Sequence, residues 1–140
     1  MKVFVDTNLF IDILLGREPF FHASSLVYKL CENSLAEGII APITINNIYY
    51  ICRKARHQEE IKSFLGDIAS VFGIALLDEK SVRKANALPM KDYEDALQYA
   101  MAQQYVCDYL ITRNTKDFPH NGHVRIVTPE LFLKEIGIDL

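Results

Sequence analysis

Three places in the chain put carboxylates or amides where chemistry is commonly done. Asp6 follows the apolar run "KVFV" and precedes "TNLFIDIL"; Asp92 and Asp95 open "DYEDALQYA"; Asn114 and Asp117 follow "YLIT". Each has a local reading as a cap or turn residue, because Asp, Asn and Thr satisfy the free N–H groups of a helix start. The local readings lose ground when all three sets fall at one edge of the fold. Carboxylates that converge without lysine partners repel one another, which costs stability and raises their pKa values. A divalent cation resolves the conflict, and oxygen donors of this kind select hard ions such as Mg²⁺ or Mn²⁺. Such an ion acidifies water and shields charge on phosphoryl oxygens, so the pattern points to metal-assisted phosphodiester hydrolysis. No serine or cysteine nucleophile is required.

The elements that must bring these residues together are legible as alternating strands and helices. Five short runs, "KVFV", "GIIAPI", "FGIALL", "DYLIT" and "VRIVT", are apolar and rich in β-branched or aromatic residues. Val3, Phe4 and Val5 read as a strand buried on both faces. Leu9, Phe10, Ile13 and Leu14 then recur at helical spacing until Gly16. Further segments of helical period are "FFHASSLVYKLCENSLA", "TINNIYYICRKA", "EEIKSFLGDIASV", "EKSVRKANAL", "DYEDALQYAMAQQYV" and "PELFLKEIG". Strands alternating with helices predict an α/β fold with a parallel sheet covered by helices. In such sheets ligands gather outside the carboxyl ends of the strands, the edge to which all three acidic sets belong. Helical spacing puts Asp92 and Asp95 on one face and points Glu94 elsewhere.

Composition narrows the classes. The chain has 140 residues, half of them hydrophobic, and no linker or repeat, which predicts one domain over residues 1–140. No apolar stretch reaches the roughly 18 residues of a membrane span, and Asp6 and Asp12 interrupt any signal-peptide core, so the expected location is cytoplasmic, without membrane contact. Cys31, Cys52 and Cys107 are odd in number without CxxC spacing, as expected of reduced core thiols. His22, His57, His120 and His123 have no metal-ligand spacing. Neither GxGxxG nor GxxxxGKS is present, which removes the common nucleotide cradles. A net charge of −3 argues against a nucleic-acid coat protein but not against a nucleic-acid enzyme. One local basic cluster, Arg53, Lys54 and Arg56 with His57, could contact phosphate or could simply be a solvated helix end.

Taken in order, "VDTNLFIDIL", "PITINNIYYICRK", "DYEDALQYAMAQ" and "YLITRNTKDF" resemble the PIN-domain family across nearly the whole chain. The resemblance implies a three-layer α/β/α sandwich with a central parallel sheet and a Mg²⁺- or Mn²⁺-dependent ribonuclease activity. It further implies the toxin of a VapBC-type toxin-antitoxin pair, dimeric and inhibited by a small antitoxin protein. Matched position by position, Asp6 corresponds to the first family acid, Asp95 to the acid opening the late helix, and Asn114 and Asp117 to the final acidic pair. Thr112 matches the small hydroxyl residue before that pair.

Two positions depart from the pattern: the second family acid aligns with Asn47, and the fourth has become Asn114. Each amide removes a negative charge and lowers metal affinity, with Asp92, or else Glu94, as compensation. On this reading Asp6 and Asp95 are ligands, Asp117 ligates directly or through water, Asn47 and Asn114 orient waters, and Thr7 or Thr112 holds the loop. Arg53, Lys54, Arg56 and Arg113 would track the RNA backbone. Tyr49 and Tyr50 read first as core packing of the "IYYI" helix, and second as stacking platforms for a base. The alternative reading is a catalytically weak PIN module that binds RNA or a protein partner. A receiver-like phosphoacceptor domain is disfavoured, because Asp78 lacks an accompanying N-terminal acid pair.

Overall fold

Alternation along the strands divides the molecule in two. A computed structural model describes residues 1–140. Its five strands are β1 (Lys2–Val5), β2 (Glu37–Ile40), β3 (Gly73–Ile74), β4 (Tyr109–Ile111) and β5 (Arg125–Val127). All pair in parallel, in the order β3-β2-β1-β4-β5. Val3, Val5, Ile40, Ile111 and Val127 point to one face, and Phe4, Ile39, Leu110 and Ile126 to the other.

The first face is covered by α1 (Thr7–Leu15), α2 (Phe21–Glu32), α3 (Pro42–Cys52), α4 (Gln58–Val71) and α7 (Pro129–Glu135), through Phe10, Val27, Ile48, Ile61, Ile68 and Phe132. The second is covered by α6 (Tyr93–Gln104), whose Tyr99, Met101 and Ala102 meet the sheet, with α5 (Glu79–Asn86) outside it. Ala85, Ala96 and Ala100 let α5 and α6 approach closely. The result is the three-layer α/β/α sandwich with a central parallel sheet. No helix is long and apolar enough to cross a membrane.

Boundaries follow local chemistry. Gly16, at φ 62°, closes α1 in the left-handed conformation that glycine adopts without penalty. The run "GIIAPI" stops being a strand at Ile40 because Pro42 occupies the first turn of α3, where its missing N–H costs nothing. "FGIALL" contributes only Gly73–Ile74 to the sheet, and Leu76 and Leu77 lie exposed beyond it. All three cysteines are buried and unpaired.

Gly38 marks the tightest approach between sheet and helices. A Cβ there would fall on the Phe72 ring and 2.9 Å from Cys31 Sγ. Gly38→Ala is expected to cost about 2 kcal/mol, the scale of overpacking a filled core. Urea denaturation checks this as a lower midpoint at unchanged slope; a change within about 0.5 kcal/mol would show that the ring yields freely.

The order of connections fixes where a site can form. From β1 the chain runs outward through β2 and β3, then returns to the other side of β1 for β4 and β5. The switch point therefore lies between β1 and β4, and ligands of doubly wound sheets bind outside it. Asp6 follows β1 there, its N–H donating to Ile111 O at 3.0 Å.

Candidate active site

Asp6 is held by three donors. It caps α1, with Oδ1 accepting from Thr7 N at 2.7 Å and from Gln98 Nε2 at 3.0 Å, while Oδ2 accepts from Thr112 Oγ1 at 2.8 Å. The cap and the candidate ligand are thus the same side chain. A carboxylate offers about four lone-pair directions, so roughly one on Oδ2 stays free to face the cavity. Gln98, fully buried on α6, was not singled out from the sequence. The available signal was its place three residues after Asp95, one turn further along the same helix face. Thr7 Oγ1 and Thr44 Oγ1 lie 3.1 Å apart and tie α1 to α3.

The amino end of α6 supplies the other acids. Asp92 is its N-cap and accepts from Asp95 N at 3.0 Å. Asp92, Glu94 and Asp95 all line one cavity with Asp6 and Asn47, of volume about 430 Å³. Glu94 does not point elsewhere as helical spacing suggested. The helix ends at the cavity, and side chains of a first turn tilt toward the amino end, so neighbours on different faces reach the same space. Asn47, on α3, donates from Nδ2 to Glu94 Oε2 at 3.0 Å, so the amide stands against the acid that can replace its missing charge.

None of these four carboxylates is paired with a lysine or arginine. Burial, followed by the charges of Asp92, Asp6 and Glu94, pushes the Asp95 carboxyl up to about 7, with the Asn114 hydrogen bond opposing. Burial also raises Glu94, against the Asn47 hydrogen bond, with Asp6 and Asp92 adding to the rise. In both, burial comes first and the neighbouring carboxylates add to it, the direction expected of an unpaired acid cluster.

The segment after β4 alternates like a strand. Thr112 faces inward, buried, donating to Asp6 and accepting from Asn114 N at 3.0 Å. Asn114 faces the same way, its Nδ2 donating to Asp95 Oδ2 at 3.3 Å and to Asp117 Oδ2 at 2.6 Å. Asp117, in a 3₁₀ turn at Thr115–Asp117, is exposed; it lines a neighbouring depression with Lys91 and Lys116 rather than the acidic cavity.

Arg113 is a correction. It does not face solvent to track phosphates; it turns to the opposite side, where Nη2 lies 3.0 Å from Asp12 Oδ1 and the guanidinium covers the Phe20 ring at 3.9 Å. Asp12 is fully buried and had no assigned role from the sequence, where it reads only as an interruption of an apolar run. It also meets Arg17 Nη2 at 3.0 Å and Ser24 Oγ at 3.2 Å.

On the cavity's α3 wall, the two tyrosines part company. Tyr49 packs partly buried against the core, whereas Tyr50 is 61% exposed and lines the cavity with Ile51. Core packing therefore describes Tyr49 alone. Arg53, Lys54, Arg56 and His57 line a separate surface depression beyond Tyr50, where Arg56 pairs with Glu60 at 3.3 Å.

The model of the PIN domain family matches residues 2–116. The chain belongs to the PIN domain family. Among individual proteins it is similar to Ribonuclease VapC1 of Aquifex aeolicus (strain VF5), at 27% identity over 136 residues, covering 94% of this chain and 92% of the relative. Its fold is shared with VapBC from Salmonella typhimurium, solved bound to DNA (TM-score 0.67, 17% identity, 92% of this chain and 98% of that one). VapBC2 from Rickettsia felis, bound to a fragment of its promoter, aligns with TM-score 0.63 and 18% identity over 90% of this chain and 97% of that one. The sarcin-ricin loop cleaving toxin VapC20 of Mycobacterium tuberculosis aligns with TM-score 0.61 and 10% identity, over 88% and 98% respectively.

Proposed function

We propose that this protein is a Mg²⁺- or Mn²⁺-dependent endoribonuclease, acting as the toxin of a toxin-antitoxin pair. The observation that carries the reading is the set of four unpaired carboxylates, Asp6, Asp92, Glu94 and Asp95, around one cavity at the sheet's switch point. That donor set fits a hard divalent cation. The His, Cys, Asp and Glu side chains form no group of three or more placed to hold an ion, so an ion here would be held by few protein oxygens, with water and substrate phosphate completing its shell.

Asp6 and Asp95 would hold the ion, with Glu94 and Asp92 supplying the charge that Asn47 and Asn114 lack, and Asp117 reaching it through water. When bound, the ion supplies an acidified water and charge stabilisation at the phosphoryl oxygens. The chain's own groups do the rest. Thr112, Gln98 and the Thr7 N–H fix Asp6 in one orientation. Asn114 holds Asp95 and Asp117 from its amide nitrogen, which lets two carboxylates stand near each other. Asn47 holds Glu94 in the same way. In the ion-free state, burial and the neighbouring carboxylates favour the protonated form of Asp95. Arg53, whose guanidinium lies over the Tyr50 ring, and the exposed Lys54 would receive phosphates beside the cavity. A small antitoxin protein, a homodimer and a cytoplasmic setting complete the proposal.

The test is cleavage of an RNA pool by the purified protein, freed of any bound inhibitor, with Mg²⁺ or Mn²⁺ and with chelator. Cleavage is expected only with the ion, and is expected to vanish in Asp6→Asn while the fold persists. Equal silence of wild type and variant, with RNA still bound, would favour the second reading, a PIN module that binds RNA without turnover. That reading is motivated by the two amides at Asn47 and Asn114.

A further inference from the structure

We propose that Tyr50 and Arg53 form a stacking subsite for one unpaired nucleobase beside the scissile phosphate. The inference rests on the ribonuclease reading and extends it to the form of the substrate. Tyr50 and Ile51 are the apolar residues of an otherwise polar cavity lining, and Tyr50 sits on its rim. The Arg53 guanidinium lies over the Tyr50 ring at 3.8 Å from its centroid and donates to Tyr50 O. With one face so covered, an exposure of 61% places the open area on the other face and edge.

The Tyr50 ring is exposed and takes no part in the hydrophobic core. Its core-facing neighbour Tyr49 already fills the helix–core contact. The four carboxylates of the cavity would repel a polyanion, so strand affinity must come from adjoining groups. Arg53 and Lys54 supply cations on the far side of Tyr50, and the ring supplies a π-face that accepts any base. The order cavity, ring, cations therefore matches scissile phosphate, flanking base, next phosphate. A base within a duplex is already stacked and cannot lie on the ring, so the subsite selects looped or single-stranded RNA.

Tyr50 is exposed and its replacement leaves the core untouched, which keeps the test clean. Steady-state cleavage is measured on a single-stranded oligoribonucleotide of mapped cleavage site, and on copies carrying one abasic residue at each flanking position in turn. Tyr50→Ala is expected to raise KM about tenfold or more with kcat within about twofold, and Tyr50→Phe to behave as wild type. One abasic position should reproduce that loss in the wild type and add nothing in Tyr50→Ala. Arg53→Ala should weaken binding with a shallower salt dependence. Additive losses, or an unchanged KM in Tyr50→Ala, would overturn the subsite while leaving the nuclease intact. A Tyr50→Ala effect confined to the oligomeric state, seen by light scattering, would overturn it in favour of a second copy of the chain on this face. If the wild type cuts no RNA, fluorescence anisotropy with the same oligonucleotides still decides. Base-dependent loss of affinity in Tyr50→Ala supports the subsite without the nuclease, and equal affinities overturn it.

Discussion

Asp95→Asn is expected to make the ion-free protein more stable and to abolish RNA cleavage, two outcomes with one cause. Burial and the charges of Asp92, Asp6 and Glu94 push the Asp95 carboxyl from 3.8 up to about 7. An acid whose folded pKa lies above its unfolded value binds protons more tightly when folded. Its contribution is fully favourable below about pH 4 and is lost as pH rises toward 7, because the unfolded chain ionises first. A rise from 3.8 to about 7 is worth about 4 kcal/mol if nothing relaxes. Water at the open mouth of the cavity reduces the expected penalty to about 2 kcal/mol.

The amide cannot ionise, and the N-cap bond from Asp95 N to Asp92 does not involve the changed side chain. Urea denaturation in chelator should therefore show a gain of about 2 kcal/mol at pH 8 that shrinks toward zero near pH 4. Cleavage should fall by about a thousandfold, the upper scale for losing one preorganised electrostatic group at a reacting centre. Added Mn²⁺ should raise Tm in the wild type and much less in the variant, since an ion stabilises only the state that binds it. No gain at pH 8 would mean that the four carboxylates do not oppose one another, and the argument for an ion would lose its physical basis.

The fold was legible because each layer signals itself within a few residues. "KVFV" is too short and too β-branched for a helix, Gly16 stops α1 where the helical spacing ends, and Asp92 caps the helix that follows it, whereas Pro42, inside the run "GIIAPI", opens α3. The run "FGIALL" misled because hydropathy does not distinguish an edge strand from an exposed connector. Leu76 is 70% exposed, with its N–H donating to the Tyr105 hydroxyl instead of to a strand.

The site was legible where one residue serves both backbone and chemistry. Asp6 and Asp95 open helices at the carboxyl edge of the sheet, so their types and places agree. Glu94 was misread because a wheel describes helix interiors, whereas Glu94 and Asp95 stand in the first turn of α6, where side chains lean toward the amino end and so reach the cavity, while Tyr93 beside them meets Asn86. Gln98, Asp12 and the direction of Arg113 were hidden for a different reason. Gln98 meets Asp6 across 92 residues of sequence and Arg113 meets Asp12 from beyond the fourth strand, and no local period encodes contacts of that span.

Asp12 carries the second large expectation, with the opposite sign. Asp95 is an acid that burial and its neighbours leave short of partners; Asp12 is an acid buried to 0% exposure because two guanidiniums and a hydroxyl surround it. Burial raises its pKa all the same, outweighing the lowering by Arg113 and Arg17, which makes the cluster costly to assemble and worse to break. Asp12→Ala leaves Arg113 and Arg17 facing each other across a cavity, with Ser24 lacking its acceptor. A loss of about 3 to 5 kcal/mol is expected, the scale of removing one partner from a buried ion pair. Asp12→Asn keeps an acceptor oxygen and sheds the buried charge, so about 1 kcal/mol is expected of it.

The effect should reach the reaction, because Thr112, Arg113 and Asn114 are consecutive. Thr112 and Asn114 bind Asp6 and Asp95 on one side while Arg113 is pinned to α1 on the other. Releasing Arg113 frees the turn that carries Asn114 and Asp117. Arg113→Ala, which leaves Asp12 paired with Arg17, should therefore lose less stability than Asp12→Ala and still cut cleavage by about 10- to 100-fold, the scale for groups that orient ligands. Arg113→Lys should recover the charge but not the stacking on Phe20, and so recover activity only in part. Cleavage by Arg113→Ala equal to the wild type at the same folded fraction would separate the Asp12 cluster from the site and leave it with a purely structural role.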